Sequence, residues 1–158
     1  MELSHLREGG GANMVDVGEK TATRRTARAA ASVVMQPAVL ELITGGGIPK
    51  GDVYTIAEIA GIAAAKKTSD LIPLCHNIRL NYIKIDFKLL NERELAVFAE
   101  ACADDVTGVE MEALTAVSVA ALTVYDMVKS ADKGVKLTNI RLLEKTGGKS
   151  GDYVRADE

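Results

Sequence analysis

From Leu80 to Leu90 polar and apolar residues alternate, with Tyr82, Lys84, Asp86 and Lys88 opposite Ile83, Ile85, Phe87 and Leu89. A period of two predicts a strand with one wet face. Asn91-Glu92-Arg93 is turn-like, and Glu94 to Ala103 reads as the hairpin partner. Val109 to Asp132 changes to the helical period. At roughly 100° per residue, Ala113, Ala116, Val117, Ala120, Ala121, Val124, Met127 and Val128 share an arc suited to covering a sheet. Glu112, Thr115, Ser118, Thr123, Asp126 and Lys129 fall on a second arc, with Val119, Leu122 and Tyr125 among or beside them. That stripe is either a wet face with ordinary apolar residues or a contact surface, such as a partner subunit, with functional groups embedded in it.

Arg24 to Met35 reads as a strand, although its alanines are poor strand formers. Pro37 opens a short helix, Ala38 to Ile43, which Gly45-Gly46-Gly47 ends. Asp52 is placed to cap a second helix through about Lys67, and Pro73 forces the chain out of helix. Gly134 stops the long helix, and Val135 to Glu144 forms the last strand. The order β-α-α-β-β-α-β predicts an α+β fold: a ferredoxin-like sandwich, an antiparallel sheet with helices packed on one face. The 158 residues suit one domain, 14–153, between a flexible N-terminal tail, 1–13, and a C-terminal tail, 154–158.

The composition, 47% hydrophobic and 26% charged, is that of an ordinary globular protein, and no apolar run reads as a bilayer span. Met1 to Met14 carries charges and a triple glycine where a signal peptide needs an apolar block. The net charge of −3 provides no global basic field for nucleic acid, and 4% aromatics without tryptophan offer no stacking platform. Cys75 and Cys102 form no CxxC pair, and a reducing cytoplasm fits them.

Three segments carry candidate chemistry. Cys75-His76 follows Pro73 at a helix-to-strand junction, the kind of loop that carries function. The pair could act as nucleophile and base or as half of a metal site, but the other histidine, His5, lies in the expected tail, so a metal site is not expected. His76 suits hydrogen bonding or proton transfer near neutral pH. Lys50 lies between Gly45-Gly46-Gly47 and Asp52, in a loop readable as an anion cradle or as helix stop plus N-cap. Gly147-Gly148-Lys149-Ser150 fails as a P-loop, because Leu143 stands where glycine is needed; it suits a phosphate-closing flap or simple disorder.

On the long helix, Asp126 and Lys129 are three apart and can pair. Glu112 and Asp126 are fourteen positions apart, about 21 Å along the axis. One small substrate cannot reach both within a subunit. If both serve one reaction, two copies of the helix must run antiparallel across a two-fold axis.

Several segments are identifiable together: Met14-Val15-Asp16-Val17, Lys50-Gly51-Asp52-Val53, Asp70-Leu71-Ile72-Pro73-Leu74-Cys75-His76, Thr107-Gly108-Val109-Glu110-Met111-Glu112-Ala113-Leu114-Thr115, Tyr125-Asp126-Met127 and Gly147-Gly148-Lys149-Ser150-Gly151-Asp152. In this order they closely resemble the MoaC family of cyclic pyranopterin monophosphate synthases, lyases of molybdenum cofactor biosynthesis. The resemblance runs from about Met14 to Tyr153. It implies a ferredoxin-like subunit in a homohexamer, a trimer of dimers, with the site at the dimer interface. The implied substrate is the cyclised guanosine triphosphate intermediate, 3′,8-cyclo-7,8-dihydroguanosine triphosphate. The implied products are cyclic pyranopterin monophosphate and diphosphate.

By matching motif, the resemblance implies Asp126 and Lys129 as central acid–base residues, with Lys50 completing the cluster. Leu74, Cys75, His76, Met111 and Glu112 would line the substrate, with Glu110 nearby. Arg25, Lys145 and Lys149 match basic positions that hold the triphosphate. No cofactor follows from the resemblance; Mg²⁺ travelling with the triphosphate stays an open option. The sequence also admits two other classes: a nucleotide-binding regulatory module, which needs the lysines but neither Asp126 nor His76, and an inactive assembly subunit.

Overall fold

The computed structural model describes residues 13–149 and 151–156. The segment expected as an N-terminal tail, His5 included, lies outside them except for Asn13. Nine elements follow in order: β1 (Thr23–Val34), α1 (Pro37–Thr44), α2 (Val53–Ala65), α3 (Thr68–Leu71), β2 (Tyr82–Asn91), β3 (Glu94–Asp105), α4 (Glu110–Val128), β4 (Lys136–Thr146) and β5 (Tyr153–Val154). The sheet order is β2-β3-β1-β4-β5, with every pair antiparallel. The first four strands have the ferredoxin-like arrangement, and α2 and α4 pack side by side over the sheet.

The alanines of β1 have a packing reason. Ala27, Ala29 and Ala31 face the helices and are almost wholly buried, opposite Ala113, Ala116, Ala120 and Ala121 on α4. Small side chains on both surfaces let the helix approach the central strand closely, and that burial overrides weak strand propensity. Gly61 does the same between helices. A Cβ there would lie 3.0 Å from the Ala116 carbonyl oxygen and 3.2 Å from the Ala120 Cβ. The arc predicted to cover the sheet is buried throughout.

Helix ends follow local chemistry. Pro37 opens α1, as expected, and the Asp52 carboxylate accepts a 3.0 Å bond from the Thr55 N–H to cap α2. α4 ends at Val128, four residues short of the pattern, and Asp132 caps the chain beyond it by accepting from the N–H groups of Gln36 and Gly134. At 19 residues and a mean hydropathy of 1.4, α4 meets the length and composition of a bilayer-crossing helix. Its apolar arc is instead spent on the sheet, which makes it the core helix of an α+β domain.

Two elements lie outside the periodicity. α3 is a single turn whose buried Thr68 hydroxyl donates to the Ala65 carbonyl at 2.9 Å. β5 pairs with Glu144 and Lys145 at the outer edge of β4, and the Arg155 N–H bonds the Leu143 carbonyl. Two residues are too short to show a period. Val154, expected in a C-terminal tail, thus takes part in the sheet.

Gly61→Val should lower stability by about 1–3 kcal/mol, because the added methyls have only the α4 backbone to push against. The measurement is the urea midpoint; an unchanged value would mean that α2 and α4 separate freely.

Candidate active site

The two ends of α4 carry two separate clusters. At the C-terminal end, Asp126 receives an ammonium on each carboxylate oxygen: Lys129 Nζ lies 2.7 Å from Oδ1, and Lys50 Nζ lies 3.0 Å from Oδ2. Lys50 also donates to the Asp126 carbonyl at 2.6 Å. The loop holding Lys50 has the stop-and-cap form, since Gly46 turns left-handed after α1 and Asp52 caps α2, and the lysine between them reaches Asp126 on α4. Hydrogen bonds from Lys129 and then Lys50 hold the Asp126 carboxyl below its ordinary range. The same pairing raises the Lys129 ammonium. All three side chains are about half exposed, so the cluster is open to a ligand.

At the N-terminal end lies a pocket of about 330 Å³, at the small end of the range for ligand sites. The loop after α3 contributes Leu74, Cys75 and His76, and the start of α4 contributes Glu110, Met111 and Glu112. These six predicted residues therefore come together. Lys20, Val15, Val17, Ile78, Thr107 and Gly108 complete the wall. Of these, Lys20 is the chemically notable addition to the predicted set; the only signal for it was its place just after the Met14-Val15-Asp16-Val17 segment.

His76 Nε2 lies 2.8 Å from the Val15 carbonyl oxygen. A carbonyl only accepts, so Nε2 carries a proton, which leaves Nδ1 as the acceptor whenever the ring is neutral. Burial, then the charge of Glu112, pushes the Cys75 thiol above its ordinary pKa. Such a thiol is a poor candidate for the nucleophile of a Cys75–His76 pair. Among the described residues, no three histidine, cysteine or carboxylate side chains gather as a metal site.

Glu112 is the unusual member. The residue is 3% exposed, and its Oε2 has no hydrogen-bond partner among the described residues. Burial is the main cause that lifts its pKa to about 7, with Glu110 and Asp105 adding to the rise and a bond from its own backbone N–H opposing it. The pocket therefore holds a carboxyl able to give or take a proton near neutrality, lodged in a site that leaves one oxygen unsatisfied.

The basic positions are distributed unevenly. Lys145 lies 3.3 Å from Glu110 at the pocket rim, and both side chains are largely shielded. Arg25 is buried, and its Nε and Nη2 donate to the carbonyls of Asp105 and Val106. Gly147 and Gly148, both left-handed, pass so close to Arg24 and Arg25 that a Cβ on either would overlap them. Lys149 follows, exposed, and is not among the residues of the pocket wall.

The raised pKa has a definite sign in stability. The folded state binds the Glu112 proton more tightly than the unfolded chain, so its contribution falls as pH rises from about 4.5 to 7. Glu112→Gln should therefore gain about 1–3 kcal/mol over the parent chain between pH 5 and pH 8. Urea unfolding at both values measures it; a constant difference would mean that Glu112 is ionised throughout.

Comparison with known proteins identifies the family of the chain. The MoaC family matches residues 14–148. A protein of Streptomyces avermitilis named cyclic pyranopterin monophosphate synthase is 54% identical over 154 residues, covering 98% of this chain and 90% of its own. One of the same name from Peptoclostridium acidaminophilum is 53% identical over 155 residues, covering 98% of both chains. A third, from Streptomyces coelicolor, is 53% identical over 154 residues, covering 98% of this chain and 90% of its own. A family match over residues 14–148 and 53–54% identity across 98% of its length show that this chain belongs to the MoaC family.

Proposed function

We propose that this protein is a cyclic pyranopterin monophosphate synthase. It converts (8S)-3′,8-cyclo-7,8-dihydroguanosine 5′-triphosphate to cyclic pyranopterin monophosphate and diphosphate in molybdenum cofactor biosynthesis. The carrying observation is the separation of two complementary clusters by one helix. Asp126 with its lysines stands at one end of α4, and the pocket with Glu112 and His76 stands at the other. Fourteen positions of helix keep them about 21 Å apart. A complete site then needs the Asp126 end of one subunit beside the Glu112 end of another, as in a dimer with antiparallel α4 helices. Three such dimers form the homohexamer.

The chemistry suits this inventory. Opening the purine imidazole ring and building a pyrazine needs several proton transfers. Asp126, held ionised, with Lys129 and Lys50 forms one exchange centre. The buried Glu112 and the Nδ1 acceptor of His76 form another. Closing the cyclic phosphate takes attack by a sugar hydroxyl on the α-phosphorus as diphosphate leaves. A triphosphate brings about four negative charges, so cations must meet it although the protein is acidic overall. Lys145 stands at the pocket rim for that purpose, and Lys20 lines the same wall. Arg25 acts with them by holding the adjoining turn, and Lys149 lies on a segment able to fold over the phosphates. A divalent ion such as Mg²⁺ would be held mainly by phosphate oxygens, since the described residues gather no cage of their own. The reaction runs in the cytoplasm.

Incubation with the cyclised guanosine triphosphate intermediate should release diphosphate and the cyclic phosphate product. Asp126→Ala should lower turnover by about 10²–10⁴-fold; unchanged turnover would reject its role. Glu112→Ala and Asp126→Ala proteins, each inactive alone, should regain about one quarter of parental activity after random subunit exchange. No recovery after confirmed exchange would put the whole site within one chain. Tight guanine nucleotide binding without product would point instead to a regulatory module.

A further inference from the structure

Gly108 is not among the left-handed glycines, so its backbone does not require glycine. Space does. The Glu110 carboxylate folds back over it, so that a Cβ at Gly108 would overlap Oε2, with Cδ 2.7 Å and Oε1 2.9 Å away. The same carboxylate faces Lys145 Nζ at 3.3 Å. Both anchors of this arrangement are fixed. Arg25 ties the turn before Gly108 to β1 through the carbonyls of Asp105 and Val106. Lys145 is held in β4 between Ala27 and Tyr153. Glu110 thus sits between a bare glycine and a lysine at the pocket rim.

An unpaired lysine side chain samples many rotamers, and one held by a seated carboxylate presents its ammonium in one place. We propose that Gly108 is a positioning residue for triphosphate recognition: its missing side chain seats Glu110, and Glu110 fixes Lys145 where the polyphosphate can engage it. The inference rests on the triphosphate substrate proposed above. It assigns Glu110 no proton transfer; its part is to hold the lysine until phosphate oxygens share or replace the contact. The clash in Gly108→Ala falls on the end of a flexible side chain, so the carboxylate moves and the fold survives.

The test is a double-mutant cycle of Gly108→Ala and Glu110→Ala. It reads the GTP dissociation constant by calorimetry, and KM and kcat with the cyclised intermediate. Gly108→Ala alone should raise both Kd and KM by about tenfold with kcat within about threefold, the signature of lost uniform binding. In the Glu110→Ala background the same substitution should add less than about twofold. Equal effects in both backgrounds, an unchanged Kd, or a fall in kcat at constant KM would overturn the proposal. If Gly108→Ala fails to fold, Glu110→Asp keeps the charge, loses the reach and should raise the GTP Kd in its place; an unchanged Kd there overturns it equally. A parent chain that binds GTP but turns over no intermediate would refute the proposed function and leave the seat to be decided by the GTP cycle alone. Turnover by the parent with equal effects in both backgrounds would do the reverse.

Discussion

Everything in this molecule is referred to the close contact of α4 with β1. Alanine meets alanine across that seam, and Gly61 brings α2 equally near. Small residues on both sides contribute little apolar area each, but they exclude the loose packing that would let the helix slide or tilt. That constraint matters because α4 carries chemistry at both ends. A helix held against the central strand along its length keeps Asp126 and Glu112 at a set separation and angle.

The two carboxylates show how one scaffold prepares opposite behaviour. Asp126 is exposed and surrounded by donated protons, which favours the anion. Glu112 is buried beside other acids, which favours the neutral form. Environments that drive similar groups apart are a common way to obtain an acid and a base from the same residue type. Here the difference follows from position. On the last turn of α4 Asp126 lies on the exposed side beside the Lys50 loop, whereas Glu112 on the first turn is buried at the pocket formed with the loop after α3. An acidic protein therefore concentrates its cations locally, without an overall positive field.

Much of this was legible before any coordinates. The alternation in β2 and the buried arc of α4 are strong periodic signals, and both elements formed where the periods placed them. The ferredoxin-like order followed from them. Boundaries were less legible: α4 ends at Val128, four residues short of the pattern, and beyond it Asp132 accepts from the N–H of distant Gln36, a tertiary contact no local pattern announces. α3 and β5 are too short to carry a period. At the site, motif segments found the residues that meet in the pocket, but not how they are held. That Arg25 spends two donors on backbone carbonyls, or that Glu110 rests on Gly108, depends on contacts between distant segments. The burial of Glu112 was likewise hidden, because a glutamate in the first turn of a helix usually reads as a solvated charge near the dipole.

The small strand β5 has a bearing on how this protein behaves among its neighbours. A sheet with open flanks can recruit strands from other chains and grow into aggregates. On one flank β2 presents Lys84, Asp86 and Lys88, whose charges repel such additions. On the other, Tyr153 and Val154 close off Glu144 and Lys145, and the Arg155 side chain reaches the Leu142 carbonyl. A few residues late in the chain thereby act as a selvedge, sparing β4 from unwanted pairing just where it carries a functional lysine.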